Sequence, residues 1–283
     1  MVRDKLLVCT FSGGRTSAFM GLFLQNYNKY KDFDKVFIFA NTGKEREETL
    51  EFINECDKQW ELNVVWLEAK INFQKGEGTT YNVVDFDTAS RNGQPFTQMM
   101  LKYPMPNNFA SNCTRELKQN TIHKFVKSLG YKEVTTAIGI RFDERHRMSN
   151  FAEQQNIIYP LITDFPADEK FIRDWWDSQT FDLKLKDYEG NCDLCFKKSL
   201  RKRLTIIKEN PNVANWWLKK EQRFGSENIP RFDLRTNKSI EELIELAKQP
   251  FQTVQDIHEL SKKQCNLFDE QMDYETACFC KAT

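Results

Sequence analysis

The stretch Phe11-Ser12-Gly13-Gly14-Arg15-Thr16-Ser17 decides how the rest of the chain is read. It follows the apolar run Leu6-Leu7-Val8-Cys9, which suits a buried strand. It precedes Ala18-Phe19-Met20-Gly21-Leu22-Phe23-Leu24, which has the length and periodicity of a helix. A strand, a glycine turn and a helix N-terminus together suit phosphate. The glycines let backbone approach an anion, Ser12, Thr16 and Ser17 offer hydroxyl donors, and the first helical amides point outward at the positive end of the helix dipole. The spacing is neither Gly-x-x-x-x-Gly-Lys-Ser/Thr nor Gly-x-Gly-x-x-Gly. The plainer alternative is a strand-to-helix turn with Gly for geometry and Ser as a cap.

Working outward, Val36-Phe37-Ile38-Phe39-Ala40 reads as a second strand that ends in Asn41-Thr42-Gly43. Glu45 to Trp60 then forms a helix with Leu50, Phe52, Ile53, Cys56 and Trp60 on one face, and Asn63 to Leu67 a third strand. Strands alternating with helices at this spacing imply parallel crossovers, with ligands held at the carboxyl ends of the strands. Residues 71–112 are broken by Gly76, Gly78, Gly93, Pro95, Pro104 and Pro106, as expected of an inserted lid or platform; within them Ser90-Arg91-Asn92-Gly93 reads as an ordinary turn. A helix is expected from Thr114 to Leu129, stopped by Gly130, and a strand from Glu133 to Ile140, followed by the charged turn Arg141–Arg145. Ile157–Ile162 reads as extended and Asp168–Asp177 as helix.

The last third changes character. Cys192-Asp193-Leu194-Cys195 is expected to open a helix running to about Lys208, with Lys197, Lys198, Arg201, Lys202, Arg203 and Lys208 on its outer faces. Such a basic run serves either as a solvated face or as a phosphate-facing one. Ser239-Ile240-Glu241-Glu242 is a capping box whose helix ends before Pro250, and a further short helix is expected over Val254–Ser261. Lys plus Arg and Asp plus Glu are equal at 41 each, which argues against a dedicated nucleic-acid binder outside a local patch. No spanning helix or signal peptide is visible, so a cytoplasmic protein with no membrane partner is expected, its eight cysteines serving as thiols, metal ligands or nucleophiles. Cys9 and Cys56 read as core residues. Cys192 and Cys195 form half of a thiolate metal site, which Cys278 and Cys280 would complete. Sulfur ligation suits an iron–sulfur cluster or Zn.

Several segments together resemble, in order, the phosphoadenosine phosphosulfate (PAPS) reductase family of the PP-loop group. Ser12–Ser17 resembles the group's Ser-Gly-Gly-x-Asp-Ser loop, and Asn41-Thr42-Gly43 with Glu48-Thr49 resembles its Asp-Thr-Gly…Glu-Thr segment. Cys113-Thr114-Arg115-Glu116-Leu117-Lys118, Gly139-Ile140-Arg141 with Asp143-Glu144, and Cys192-x-x-Cys195 with Lys197-Lys198-Ser199 are similar to the remaining motifs. The likeness spans roughly the first 210 residues, and certain phage-encoded members resemble this chain more than the assimilatory reductases do. Two positions depart from it: Thr16 stands where the loop has Asp, and no Glu-Cys-Gly-Leu-His tail is present, Cys278-Phe279-Cys280 lying near that place.

The resemblance implies a doubly wound parallel α/β sheet of the adenine nucleotide alpha hydrolase type over residues 1–180, followed by a helical, cysteine-containing region over residues 181–283. It implies an adenine nucleotide (ATP, PAPS or APS) on Ser12, Gly13, Gly14, Arg15, Thr16, Ser17, Asn41, Thr42, Gly43 and Gly139, with Arg115, Lys118, Arg141 and Cys113 carrying chemistry. In the family's APS reductases a cluster is held by a Cys-Cys pair near Cys113 and the later Cys-x-x-Cys, and position 112 here is Asn. Two reactions follow. A thiolate (Cys280 or Cys278, then Cys113) attacks a sulfonucleotide, or ATP adenylates an acceptor for sulfur insertion. A third reading is a nucleotide-binding protein with structural Zn. Expected partners are the small-molecule nucleotide, a thioredoxin-like reductant or a nucleic-acid acceptor, and a second copy of the chain.

Overall fold

The computed structural model describes residues 4–107, 110–225 and 237–256. Its first compact unit holds the chain through Phe96 and Thr114–Lys184; the second holds Thr97–Cys113 and the described residues from Leu185 on. The division therefore falls four residues beyond the expected boundary, and the later part of the 71–112 insertion groups with the second unit.

The first unit is built on β1 (Lys5–Thr10), whose Leu6, Leu7, Val8 and Cys9 are all buried. Four successive buried residues need cover on both faces, which is the signature of a central parallel strand. After α1 (Arg15–Asn26) the chain enters β2 (Asp34–Asn41), then α2 (Glu47–Trp60), β3 (Val65–Lys70) and β4 (Thr80–Val84). The chain then passes through α3 (Gln94–Lys102) and α4 (Asn112–Thr114), of which Thr97–Cys113 belong to the second unit, and a π-helical turn over Arg115–Asn120 runs directly into α5 (Thr121–Ser128). β5 (Glu133–Ala137), a 3₁₀ turn over Phe142–Arg147, β6 (Ile157–Ile158), α6 (Pro160–Thr163) and α7 (Glu169–Asp177) complete the first unit. The sheet order is β4-β3-β2-β1-β5-β6, parallel throughout except for β4, which runs antiparallel to β3. The expected doubly wound α/β fold is thus present, with one reversed edge.

Leu6 and Val8 face Ile38, Leu67 and Val126, with Ile122 and Phe125 packed on them. Alternation along β1 sends Leu7 and Cys9 to the opposite face. On α1, a Cβ built at Gly21 would lie 3.6 Å from the Phe37 ring. An aromatic cluster joins α1, α2 and α7: Trp176 sits 4.9 Å from Phe52, 5.8 Å from Trp60 and 4.8 Å from Trp175 between ring centroids. Its indole N–H donates to the Arg15 carbonyl at 3.1 Å, so this cluster also holds the start of α1.

Within the second unit, α8 (Leu200–Glu209), α9 (Asn212–Phe224) and α10 (Ile240–Lys248) pack together around Leu204, Ile207, Trp217 and Leu243. The helix expected from Cys192 begins only at Leu200, because Ser199 caps it by accepting from the Lys202 amide. Cys192–Ser199 therefore lie in turns ahead of it. Ser239–Glu242 forms the expected capping box. β4, α3 and α9 were not expected. Ile157–Ile162 is extended for only two residues before Pro160, at the first position of α6, starts a helical turn. Val254–Asp256 is not helical, and the rest of the helix expected there lies outside the described residues.

Replacing Trp176 by Ala removes the hub of the aromatic cluster and should lower stability by about 3–5 kcal/mol, measured by urea denaturation of the full chain.

Candidate functional site

Two neighbours of β1 fix the place of the site. The chain leaves β1 for β2 on one side and returns as β5 on the other, so the strand order reverses between β1 and β5. Ligands of open α/β sheets bind at the carboxyl ends on either side of such a reversal. Phe11 still belongs to the sheet edge, its amide donating to the Ile38 carbonyl at 2.8 Å, and Thr10 Oγ1 donates to the Ala137 carbonyl at 2.9 Å. The chain then turns at Ser12-Gly13-Gly14.

The turn has little room. Gly13 has φ of +86°, and a Cβ there would stand 2.5 Å from Thr49 Cγ2 and 3.1 Å from Ile53 Cδ1 of α2. The turn is fastened from inside by Ser17 Oγ, which receives the Ser12 amide at 3.1 Å and the Ser12 hydroxyl at 3.0 Å and donates to the Gly14 carbonyl at 2.9 Å. Gly14 is the N-cap of α1 and has no side chain to cap it, which leaves the opening amides of the helix facing outward. Gly139, after β5, is pressed against the same helix: a Cβ there would lie 3.2 Å from Ser17 Cα. The structure thus brings together Ser12–Ser17 and Gly139.

Arg15 faces elsewhere. Its guanidinium donates to both carboxylate oxygens of Asp182 at 2.7 and 2.8 Å and to the Leu183 carbonyl at 2.7 Å. It anchors the start of α1 to the segment after α7.

At the end of β2, Asn41 pairs in register with Glu68 of β3. Its amide donates to Glu68 Oε1 at 2.6 Å and to the Ser90 carbonyl at 2.8 Å, while its Oδ1 accepts the Gly43 amide at 3.0 Å. The Ser90 amide closes the knot by donating to Glu68 Oε1 at 2.5 Å. Gly43, at φ +75°, is packed so closely that a Cβ would meet Pro95 Cδ and Ser90 Oγ, both at 3.0 Å. Ser90–Gly93 is therefore more than an ordinary turn: it is stapled across the carboxyl ends of β2 and β3. Burial pushes the Glu68 carboxyl above its usual range, and the charge of Glu45 adds to this against the opposing Ser90 and Asn41 hydrogen bonds. Thr42 donates its amide and hydroxyl to buried Glu45 at 2.9 and 2.8 Å.

The π-helical turn carries Arg115 and Lys118. Such turns cluster at functional sites because the extra residue redirects side chains. Buried Glu116 accepts from Thr79, from Arg115 at 2.6 Å and from Asn120 at 3.0 Å. Burial raises its carboxyl, but these donors outweigh that and hold it below the usual range. Lys118 Nζ lies 3.8 Å from Glu45, which joins this turn to the Asn41-Thr42-Gly43 corner. Arg141 grips Asp143 with two bonds of 3.0 Å and lies 3.4 Å from Glu169 and 3.6 Å from Glu144. Burial works against its charge, and the three carboxylates more than compensate.

Cys113 and the Cys192-x-x-Cys195 pair belong to the second unit, and all three are half-buried. Buried Lys198 donates to the Cys192 carbonyl, and Asp193 accepts the Trp217 indole N–H at 2.8 Å. Lys198 and Arg203 are buried, so the expected basic face of this region is smaller than the sequence implied. Cys278 and Cys280 lie outside the described residues. Among the described residues no three His, Cys, Asp or Glu side chains are placed to hold a metal. Cys9 is core, its thiol pushed up to about 12 by burial, and Cys56 is raised for the same reason. No described helix is long and apolar enough to cross a membrane. The sequence reading missed Glu45, Glu68 and Asp182; the one available signal was a lone carboxylate, Glu68, in the apolar strand Val65–Ala69.

Residues 6–158 match the phosphoadenosine phosphosulfate reductase domain family. The chain is 34% identical over 200 residues to the uncharacterized nin region protein ORF290 of Escherichia phage lambda, covering 69% of this chain and 67% of that protein. It is 26% identical over 229 residues to the uncharacterized protein MJ0973 of Methanocaldococcus jannaschii, covering 76% of this chain and 47% of that protein.

Gly13→Ala must place a Cβ on Thr49 at a positive φ and should cost about 1–3 kcal/mol, with loss of nucleotide affinity in calorimetric titration. Because the folded pKa of Glu68 is raised, its contribution to stability is present at acid pH and is lost as pH rises through that value. The stability of wild type relative to Glu68→Gln should therefore fall as pH rises above the ordinary carboxylate range, followed by urea midpoints.

Proposed function

Because this chain belongs to the phosphoadenosine phosphosulfate reductase family, we propose that it is an adenine-nucleotide-dependent enzyme working on sulfur, with the nucleotide's phosphate at the Ser12–Ser17 turn. The observation that carries this reading is the uncapped start of α1 at the strand-order reversal, walled by Gly13 and Gly139, where a Cβ would crowd Thr49 and Ser17. Helix amides at such a place stabilise an anion by direct donation and by the helix dipole. Arg115, Lys118 and Arg141 are the cations assigned in this reading to developing phosphate or sulfate charge, each held in place by a carboxylate. Arg15 holds the helix in place through Asp182.

The first reaction is sulfonucleotide reduction. A thiolate attacks the sulfur, an S–S bond forms, the S–O bond to phosphate breaks, and adenosine phosphate departs with the bond's electron pair. A second thiol then displaces sulfite and leaves a disulfide, which a thioredoxin-like dithiol reduces. Cys113 is the candidate nearest in sequence to Arg115; Cys278 and Cys280 are the others. An iron–sulfur cluster or Zn, if held by Cys192 and Cys195, would need ligands beyond this half-site.

A second reading is AMP-forming activation of an acceptor for sulfur transfer. It is favoured by the exposed Arg145–Phe142 stack immediately after Arg141, a feature that small-molecule reduction does not require.

Product analysis separates the two. Sulfite plus adenosine phosphate from a sulfonucleotide supports reduction, and AMP plus pyrophosphate from ATP supports activation. Replacing Ser12, Gly13 and Gly14 by Ala should abolish adenine-nucleotide binding in either case; unchanged affinity would remove the site.

A further inference from the structure

The 3₁₀ turn Phe142–Arg147 has two unlike faces. The turn is kinked at Glu144 (φ −101°, ψ 20°), so the contacts rather than an unbroken three-residue repeat sort its side chains. Arg141, Glu144 and Arg147 fall on one face, with side chains only 16%, 8% and 15% exposed. They are locked together: Arg147 donates to Glu144 at 2.5 Å, Arg141 lies 3.6 Å from the same carboxylate, and the Phe142 amide donates to the Ala167 carbonyl at 2.9 Å. The other face holds Phe142, Arg145 and the cap residue Met148. Phe142 is 39% and Met148 36% exposed, and the Arg145 guanidinium lies 4.1 Å from the Phe142 ring centroid. Phe151, in the next loop, is 60% exposed.

This arrangement differs from scattered surface apolar residues. A rigid inner face fixes an outer one that presents a flat ring with a flat cation over it. Among the described residues Arg145 has no ion-pair partner, whereas Asp143, Glu144 and Glu169 are engaged by Arg141, Arg147 and Arg173. The local surface thus combines π area with one uncompensated positive charge. Unstacked bases linked by phosphates offer both complements: aromatic rings to stack on Phe or on a guanidinium plane, and negative charge beside them. A protein partner would have to desolvate the guanidinium against an acidic group; a nucleic acid brings stacking and charge in one unit.

We propose that the outer face formed by Phe142, Arg145 and Met148 is a base-stacking surface for single-stranded nucleic acid, the acceptor in the activation reading above. It rests on that reading for its purpose and on the geometry of the turn for its existence. Position supports it, because the face begins one residue after Arg141, at the carboxyl end of β5 beside the strand-order reversal.

The test uses the full chain and fluorescently labelled oligonucleotides of about 12 nucleotides, as single-stranded DNA, single-stranded RNA and duplex DNA, at about 50 mM salt. Binding of a single strand at about 10 µM, weaker for duplex, is expected. Phe142→Ala and Arg145→Lys should each weaken it about tenfold, because Lys keeps the charge and loses the planar stack, while Phe142→Trp should retain it. Comparing the DNA and RNA arms identifies which strand is preferred. Calorimetric titration with ATP is run beside each variant and should be unchanged, which separates failure of this face from failure of the nucleotide site. If Phe142→Ala does not fold, Arg145→Lys carries the test. The proposal is overturned if no oligonucleotide binds, if duplex binds as well as single strand, or if Arg145→Lys binds like wild type.

Discussion

Everything at the functional end of this molecule depends on how closely α1 and α2 approach the end of β1. The central strand is buried on both sides, so the turn after it is squeezed between α2 below and the β5 end beside it. A methyl group at Gly13 would overlap Thr49, and one at Gly139 would press on Ser17. Close approach at these two points brings the first amides of α1 to the strand-order reversal. Without it the same elements would form a sound α/β sheet with no helix start presented there.

Around that contact, buried carboxylates organise the surrounding loops. Glu68 joins Asn41 to Ser90, Glu45 holds Thr42 with Lys118 nearby, and Glu116 steadies Arg115 within the π-helical turn. Each replaces mobile loop hydrogen bonding with a fixed acceptor, at the cost of burying a charge. The rigidity gained is what an electrostatic site needs, since donors that must reorganise stabilise less.

Much of this was legible beforehand because it rests on local rules. Four apolar residues followed by two glycines identify β1 and its turn, and the 3.6-residue pattern identifies α2. The order of motifs carried the family. What stayed hidden depends on distant contacts. Ser90–Gly93 looks like any polar turn until Asn41 and Glu68 reach it from two strands. Arg15 reads as a phosphate cation, and only the return of the chain at Asp182 shows its guanidinium engaged there. The basic run before and within α8 read as an outer face, solvated or phosphate-facing, yet Lys198 and Arg203 are buried. The late start of α8 reflects competition between helix propensity across Cys192–Lys198 and the Ser199 cap, which prevailed.

The reversed edge has a further consequence. A parallel sheet that ended at β3 would offer an unpaired row of amides and carbonyls to any passing strand. β4 folds back antiparallel to occupy that row, and the opposite margin, β6, is only two residues long. A margin as short as β6 is a poor template for strand addition, whereas β4 carries an outer row of its own. Joining of copies through the β6 margin is thereby discouraged, and among the described residues the sheet holds six strands.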